Sequence, residues 1–455
     1  MKKSPKQYWK LGRSEYATQF FDINKNGELL VKEGNYQYNV HELAKKYDTS
    51  LELVFPFIIE HRVEELINIF NHYIKHYHYK GRFYFHYPMK VNQNRAFILP
   101  LITEGANLET GSANELWIVK RLWEQNSFNS RIKVICNGPK TDAYAGLIKE
   151  LRDQGLDVVP IIESYDELSK LSKYKGQVGI RVNLDIKTSS HWDKKFEQFG
   201  FSPDEIKSIG KIPNLSILHY HAGSQMKRSN DITSALKEGF QIYCALKQSN
   251  PKLDTINIGG GFAVNYEKKK MYSIQSLVQR IVSFLAKSSE QAGVQPPHII
   301  CEWGRHIMAP SQITVFKVIL EKTINNGKTA KKWYVVDGSF MNDLLDTWAI
   351  HQKWHVVPIN NMFAKKMEKV WLAGLSCDSD DKYTGDGYVN LPNTAELAEG
   401  ESQYIAILDT GAYQDALASC HCLLPSPGKI VCQDGDINVA RERETAEEMG
   451  KLFGW

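Results

Sequence analysis

Lys90 closes an extended aromatic run, Arg82-Phe83-Tyr84-Phe85-His86-Tyr87, at the turn Tyr87-Pro88-Met89-Lys90. A lysine at such a position is commonly just solvated, so its meaning depends on what other runs bring to it. His219-Tyr220-His221-Ala222-Gly223-Ser224-Gln225 ends one of them with an imidazole, a glycine and a hydroxyl. Gly259-Gly260-Gly261-Phe262 ends another, and consecutive glycines let backbone amides approach an anion because no Cβ intervenes. Glu302-Trp303-Gly304-Arg305 ends a third with a carboxylate and a guanidinium. An amine that can grip an aldehyde, donors for a phosphate and a buried acid together describe a site for a phosphorylated aldehyde.

The elements that must position these groups are short apolar runs. After the run that ends at Lys90 come Ala106–Glu109, Ile132–Cys136, Leu156–Ile162, Val178–Val182, Leu215–His221, Thr255–Ile258 and His298–Glu302. Between most of them lie stretches with helical spacing, such as Asn114–Trp123, Ala143–Gln154 and Ile232–Gln248. Strands alternating with helices over about 250 residues predict an α/β fold, a parallel (β/α)8 barrel with its site at the carboxyl ends of the strands. A doubly wound sheet alternates in the same way; the count of eight strands favours closure.

The alternation stops near residue 310. From Ser311 onward strand follows strand: Ile313–Ile319, Trp333–Val336, Val370–Leu372 and Tyr404–Leu408. Ahead of the barrel, Gln19–Val31 reads as two extended pieces around an Asn-Gly turn. The expected division is residues 1–45 as N-terminal strands packing with a β domain, 46–310 as the barrel and 311–455 as the C-terminal β domain.

Composition narrows the function classes. The 455 residues are 42% hydrophobic and 24% charged, an ordinary globular balance. A formal charge of +4, widely dispersed, argues against a nucleic-acid partner. No apolar run is long enough to span a bilayer, and the basic start Met1-Lys2-Lys3 lacks the apolar core of a secretory signal. Seven cysteines without paired spacing point to a reducing compartment, and the cytoplasm is expected.

On these residues the chain resembles the fold-type III decarboxylases that use pyridoxal 5'-phosphate, and within them the biosynthetic arginine decarboxylases. The segments that carry the resemblance are Tyr87–Gln93, Leu108–Ser112, His221–Gln225, Ile258–Gly261 and Glu302–Arg305, followed by Asp346–Ile350, Cys377–Asp380 and Gly411–Gln414. The resemblance implies that Lys90 holds the cofactor aldehyde until a substrate amine displaces it, and that Glu302 keeps the pyridine nitrogen protonated. It implies that His221 stacks on the ring, while Ser224, Gly259, Gly260, Gly261, Arg305 and Tyr413 serve the phosphate. Glu109 and Arg181 stand as supporting residues around the cofactor. Cys377 corresponds to the thiol that returns a proton to the substrate carbon; Asp378 and Asp380, near Tyr413 in the substrate set, would take the substrate's distal cation. The family also implies a homodimer in which Cys377 reaches the partner's barrel.

Each residue has a plainer reading. His221 is also what a core histidine bonded to a carbonyl looks like, Glu302 with Arg305 a structural ion pair, and Cys377 a small buried hydrophobe. Tyr383 stands where a calcium loop needs glycine, and Cys420-His421-Cys422 fits no zinc spacing, so a packed strand or helix is expected there. No metal is expected. Three functions stay open: decarboxylation of L-arginine to agmatine; the same reaction on ornithine, lysine, diaminopimelate or a modified relative; and a racemase or a non-catalytic cofactor-binding protein. His351 stands where the arginine enzymes tend to carry an acid, which keeps the second alternative alive. The β domain and the Cys-Asp-Ser-Asp segment weigh against the third.

Overall fold

The computed structural model describes residues 4–126, 132–190, 197–269, 271–325, 329–383 and 387–455; Met1–Lys3, whose basic character was noted above, lie outside them. The chain forms two compact units. One comprises Ile59–Val264 and Met271–Ile307; the other comprises Met1–Ile58, Asn265–Lys270 and Met308–Trp455. No helix among the described residues is long and apolar enough to cross a membrane.

The first unit is a closed barrel of eight parallel strands. In chain order they are β1 (Phe83–Pro88), β2 (Asn107–Thr110), β3 (Lys133–Cys136), β4 (Asp157–Ile162), β5 (Val178–Arg181), β6 (Leu215–His219), β7 (Thr255–Asn257) and β8 (His298–Cys301). β8 pairs back onto β1 with Ile299 opposite Phe83, which closes the cylinder and decides against the doubly wound alternative. The middle of the barrel is filled by Ile135, Val159, Ile161, Ile217 and Ile300, with Tyr84 against them. Such a layer makes the barrel a packed core rather than a pore, and it leaves chemistry to the rims. Gly179 belongs to this packing: a Cβ there would lie 2.3 Å from Ile161 Cδ1.

Register then levels the polar residues above that layer. His219 pairs with Arg181 on one side and with Asn257 on the other, so three strands present polar groups at the same height. Pro88 pairs with Glu109, which sets the carboxyl two residues from Lys90 in height. The polar ends of the strands also start helices. Ser112, Thr141 and Ser164 each accept a backbone N–H of the helix that follows, at Ala113–Glu124, Asp142–Asp153 and Tyr165–Lys170. Ser202 forms a reciprocal box with Glu205 ahead of Pro203–Ile209. Each cap is worth about 1 kcal/mol, so much of the polarity at strand ends is spent on turning the chain.

The second unit is β-rich. Phe21–Ile23, Leu29–Glu33 and Tyr36–Asn39 form a three-stranded antiparallel sheet of their own rather than extending the larger one. They are tied to the rest of the unit through Leu29 N to Ile359 O at 3.0 Å and Met362 N to Gly27 O at 2.9 Å. The larger sheet has nine strands among the described residues, built around Gln312–Thr323. Leu51–Val54, which the sequence division grouped with the barrel, lies in this sheet: antiparallel to Gln312–Thr323 and parallel to Gly428–Gln433.

That strand carries a buried acid. Glu52 Oε2 is 2.9 Å from Lys429 Nζ and 3.0 Å from Arg441 Nη2, and Lys429 also holds Asp415 at 2.6 Å. Burial and the neighbouring Asp415 still push the Glu52 carboxyl up to about 7.

Candidate active site

Lys90 sits in a single helical turn, Met89–Val91, directly after Pro88 ends β1. Proline at that point fixes the chain on leaving the sheet. The loop beyond is held by Tyr87 Oη donating to Asn92 O at 2.9 Å and by Asn94 N donating to Asn92 Oδ1 at 3.0 Å. The lysine is solvent-exposed, and its charge acts on three buried groups, Glu109, Glu302 and His219.

Glu302, one residue past β8, is the centre of that cluster. Its Oε1 accepts from Asn257 Nδ2 at 2.7 Å and from Asn137 Nδ2 at 3.4 Å, and His219 Nδ1 lies 3.7 Å away. Burial raises the pKa of Glu302 above the usual carboxylate range, while the two amides, Lys90 and Arg181 pull it back. Glu109 is raised by burial first and then by repulsion from Glu302. A negative charge on one of these carboxyls disfavours a second on the other. His219 is held neutral by burial and by the Arg181 charge.

Arg181, the last residue of β5, is oriented by Glu163, whose Oε2 lies 3.4 Å from Nη1, and its guanidinium lies 4.6 Å from the Phe199 ring centroid. Glu163 Oε1 in turn accepts from Gly138 N at 2.7 Å. The arginine is therefore fixed on two sides, by charge and by an aromatic face.

His221 and the glycine triplet form one piece. Gly260 N donates to His221 Nδ1 at 3.2 Å, which makes Nδ1 the bare nitrogen of a neutral ring. Gly259 takes φ +65°, and a Cβ there would lie 2.4 Å from Tyr220 O; one on Gly260 would lie 3.0 Å from His221 Cε1. The close approach accounts for the run of glycines. Ser224 is held through its backbone: its N–H donates to Ser190 Oγ at 3.1 Å, and that hydroxyl donates to Ser224 O at 3.0 Å. Arg305 follows within Gly304–Met308 and is buried.

The remaining predicted residues belong to the β-rich unit. Cys377 Sγ lies 3.7 Å from Cys422 Sγ, and Asp378 Oδ2 lies 3.2 Å from His421 Nε2. Asp380 N donates to Asp378 Oδ1 at 2.8 Å. The buried Asp381 anchors the segment, accepting from Phe340 N at 2.7 Å and from Ser376 N at 3.1 Å. Cys377 is exposed, not a buried hydrophobe, and the hydrogen bond with Cys422 raises its thiol above the ordinary value. His421–Leu423 is an exposed single turn with Cys422 at φ +56°, so the packed element expected at 420–422 is not formed. Tyr413 is half-buried with φ +70°.

Sequence reading missed Asn137, Asn257, His219 and Glu163, which orient the acid and the guanidinium. Asn137 and Asn257 each follow or end an apolar strand, and an uncharged polar residue at a strand end was the available signal. A cavity of about 780 Å³ opens at the opposite, amino-terminal end of the barrel, lined by residues such as Lys133, Asp157 and His298, and none of the predicted site residues line it.

The donor set suits pyridoxal phosphate. A primary amine, a fixed carboxyl and a guanidinium answer an aldehyde, a ring nitrogen and a phosphate. Glu109 Oε2 is buried with no hydrogen-bond partner among the described residues, which leaves acceptor capacity within the cluster. The glycine turn lets the chain pass against Tyr220 O and His221 at distances that a Cβ would not allow.

Comparison with known proteins agrees. Residues 63–309 match the family described as pyridoxal-dependent decarboxylase, pyridoxal binding domain. The biosynthetic arginine decarboxylase of Bacteroides thetaiotaomicron is 24% identical over 91% of this chain and 87% of its own length. That of Prochlorococcus marinus is 24% identical over 97% and 88%. Among solved structures, the biosynthetic arginine decarboxylase from Campylobacter jejuni superposes with a TM-score of 0.83 at 21% identity, covering 97% of this chain and 92% of that one. Diaminopimelate decarboxylase from M. jannaschi gives 0.80 at 22%, covering 95% and 97%. The barrel with its lysine and its clamped acid is thus the cofactor domain of a known class of lyases, and the chain belongs to the pyridoxal-dependent decarboxylase family.

Proposed function

We propose that this enzyme decarboxylates L-arginine to agmatine and carbon dioxide, a step toward polyamines, and that it does so as a homodimer in the cytoplasm. The observation that carries the chemistry is Glu302, buried at the end of β8 and clamped by Asn257 and Asn137 within reach of the Lys90 charge. Pyridoxal phosphate, when bound, supplies an aldehyde for the substrate amine and a ring that takes up the electron pair left when carbon dioxide departs.

The chain's own residues do the rest. Lys90 Nζ would hold the cofactor through its aldehyde. Glu302 would keep a proton at the ring nitrogen, with the two asparagines fixing its Oε1 so that the carboxyl does not turn away. Glu109, raised by burial, keeps that pocket from carrying two charges. Arg181, gripped by Glu163, supplies a fixed positive field beside His219. The Gly259–Gly261 turn, with Ser224, Arg305 and Tyr413, would hold the phosphate, and His221 would pack on the ring face from its anchorage on Gly260. Cys377 Sγ donates the proton that replaces the lost carboxyl, and Asp378 and Asp380 accept the distal cation of the substrate. The high thiol pKa of Cys377 keeps the proton in place until it is needed.

The names carried by the sequence relatives support arginine. His351, exposed where an acid is the habit of arginine enzymes, supports a second reading in which diaminopimelate, lysine or ornithine is the substrate. Incubating the yellow holoprotein with each amino acid, while measuring carbon dioxide and the amine, separates them. Agmatine from arginine is the expected result; release from another substrate alone selects the second reading, and no release from any sinks both. Mixing subunits inactivated at Lys90 with subunits inactivated at Cys377 should restore activity, and failure to do so removes the shared-site dimer.

A further inference from the structure

We infer that Cys377 and Cys422 form an oxidation site that closes to an intramolecular disulfide when the protein meets a peroxide. The two sulfurs are 3.7 Å apart, both residues are exposed, and both are free thiols. The two residues are 45 apart in sequence, so the fold and not local chain geometry brings them together. The approach is enforced twice. Asp378 meets His421 at 3.2 Å, so the dipeptide Cys377-Asp378 lies antiparallel against the dipeptide His421-Cys422. Each side is separately anchored: Asp381 holds one, while Asn342 Nδ2 donates to His421 O at 2.9 Å and Ser419 Oγ donates to Asn342 Oδ1 at 3.0 Å on the other. Bond formation at about 2.05 Å then asks for side-chain rotation of two exposed cysteines, not for movement of the anchored backbone.

The oxidant is hydrogen peroxide, and the steps balance. One thiol loses its proton and attacks the peroxide oxygen; an S–O bond forms, the O–O bond breaks, and water leaves once the departing oxygen is protonated. The second thiolate attacks that sulfur; the S–S bond forms, the S–O bond breaks, and a second water leaves after protonation. Two electrons pass from the sulfur pair to one peroxide. A dithiol reductant reverses the change by exchange.

The site itself rests on the geometry alone; its effect on turnover rests on the proposed role of Cys377. Closing the disulfide removes the Cys377 proton, so decarboxylation slows while the attachment at Lys90 stays intact. Full-length holoprotein treated with stoichiometric hydrogen peroxide should lose two hydrogens in mass and yield a Cys377–Cys422 crosslinked peptide. Carbon dioxide release should fall by about 10²-fold or more, the worth of a positioned acid, with the yellow absorbance unchanged and activity returning on dithiothreitol. Cys422→Ser should form no crosslink on treatment; Cys420→Ser should still form it. A treated, folded wild-type protein with no 377–422 crosslink, or with 377 joined to 420 instead, overturns the inference. A crosslink with undiminished turnover upholds the oxidation site and removes Cys377 from the chemistry proposed above.

Discussion

Glu52 in the β-rich unit and Glu109 in the barrel are both buried carboxyls, yet their surroundings differ in kind. Glu52 touches Lys429 and Arg441 at 2.9 and 3.0 Å, whereas Glu109 Oε2 meets no hydrogen-bond partner among the described residues. The first cluster also contains Asp415, so two acids face two bases and the chain balances itself. The second sets Glu109 against Glu302 under a field from Lys90, and burial drives both carboxyls upward. A buried charge that is fully partnered serves the fold; one left short of partners keeps capacity for a group that arrives later.

That contrast can be broken in four ways, from the strongest effect downward. Lys90→Ala should abolish carbon dioxide release and the yellow absorbance together; absorbance that survives the substitution would mean the cofactor is attached elsewhere. Glu302→Gln keeps an oxygen for Asn257 but cannot hold the ring proton. Turnover should fall by roughly 10²–10⁴, with the absorbance retained and thermal stability unchanged or higher. A collapse of stability instead would make Glu302 a structural acid like Glu52. Lys429→Met leaves Glu52 and Asp415 facing each other with one cation fewer, and denaturant titration should show a loss of about 3–5 kcal/mol. A loss below about 1 kcal/mol would place that cluster with the solvated surface pairs instead.

The smallest effect is on pH dependence. The Glu52 carboxyl titrates at about 7 in the folded chain, above its ordinary value. Between that ordinary value and about 7 the folded state binds the proton and the unfolded state does not, so this group's contribution to stability declines as pH rises through the window. Glu52→Gln should therefore flatten the fall in melting temperature across that range. An unaltered slope would show that the Lys429 and Arg441 charges already hold the carboxylate ionised.

Much of the barrel was legible because its signals are local. The runs ending at Lys90, His221, Gly259 and Glu302 alternate with helical spacing, and hydroxyl caps such as Ser112 and Thr141 mark the restarts. Leu51–Val54 was harder. It flows without punctuation into Phe55-Pro56, and its neighbours lie at Gln312 and Gly428, a pairing that no periodicity contains. Asn137 and Asn257 were passed over because an amide has no chemistry of its own; its role exists only once register brings it to Glu302. The meeting of Cys377 with Cys422 is of the same kind, since exposed turns carry no repeat that fixes what faces them.

The path of the chain has a consequence for biosynthesis. Leu51–Val54 leaves the ribosome early, but the strands on either side of it are made only at residues 312 and 428. The barrel, complete at Ile307, can form while that strand waits with unsatisfied edges. The β-rich unit therefore keeps one edge of Leu51–Val54 unpaired until Gly428–Gln433 has been made.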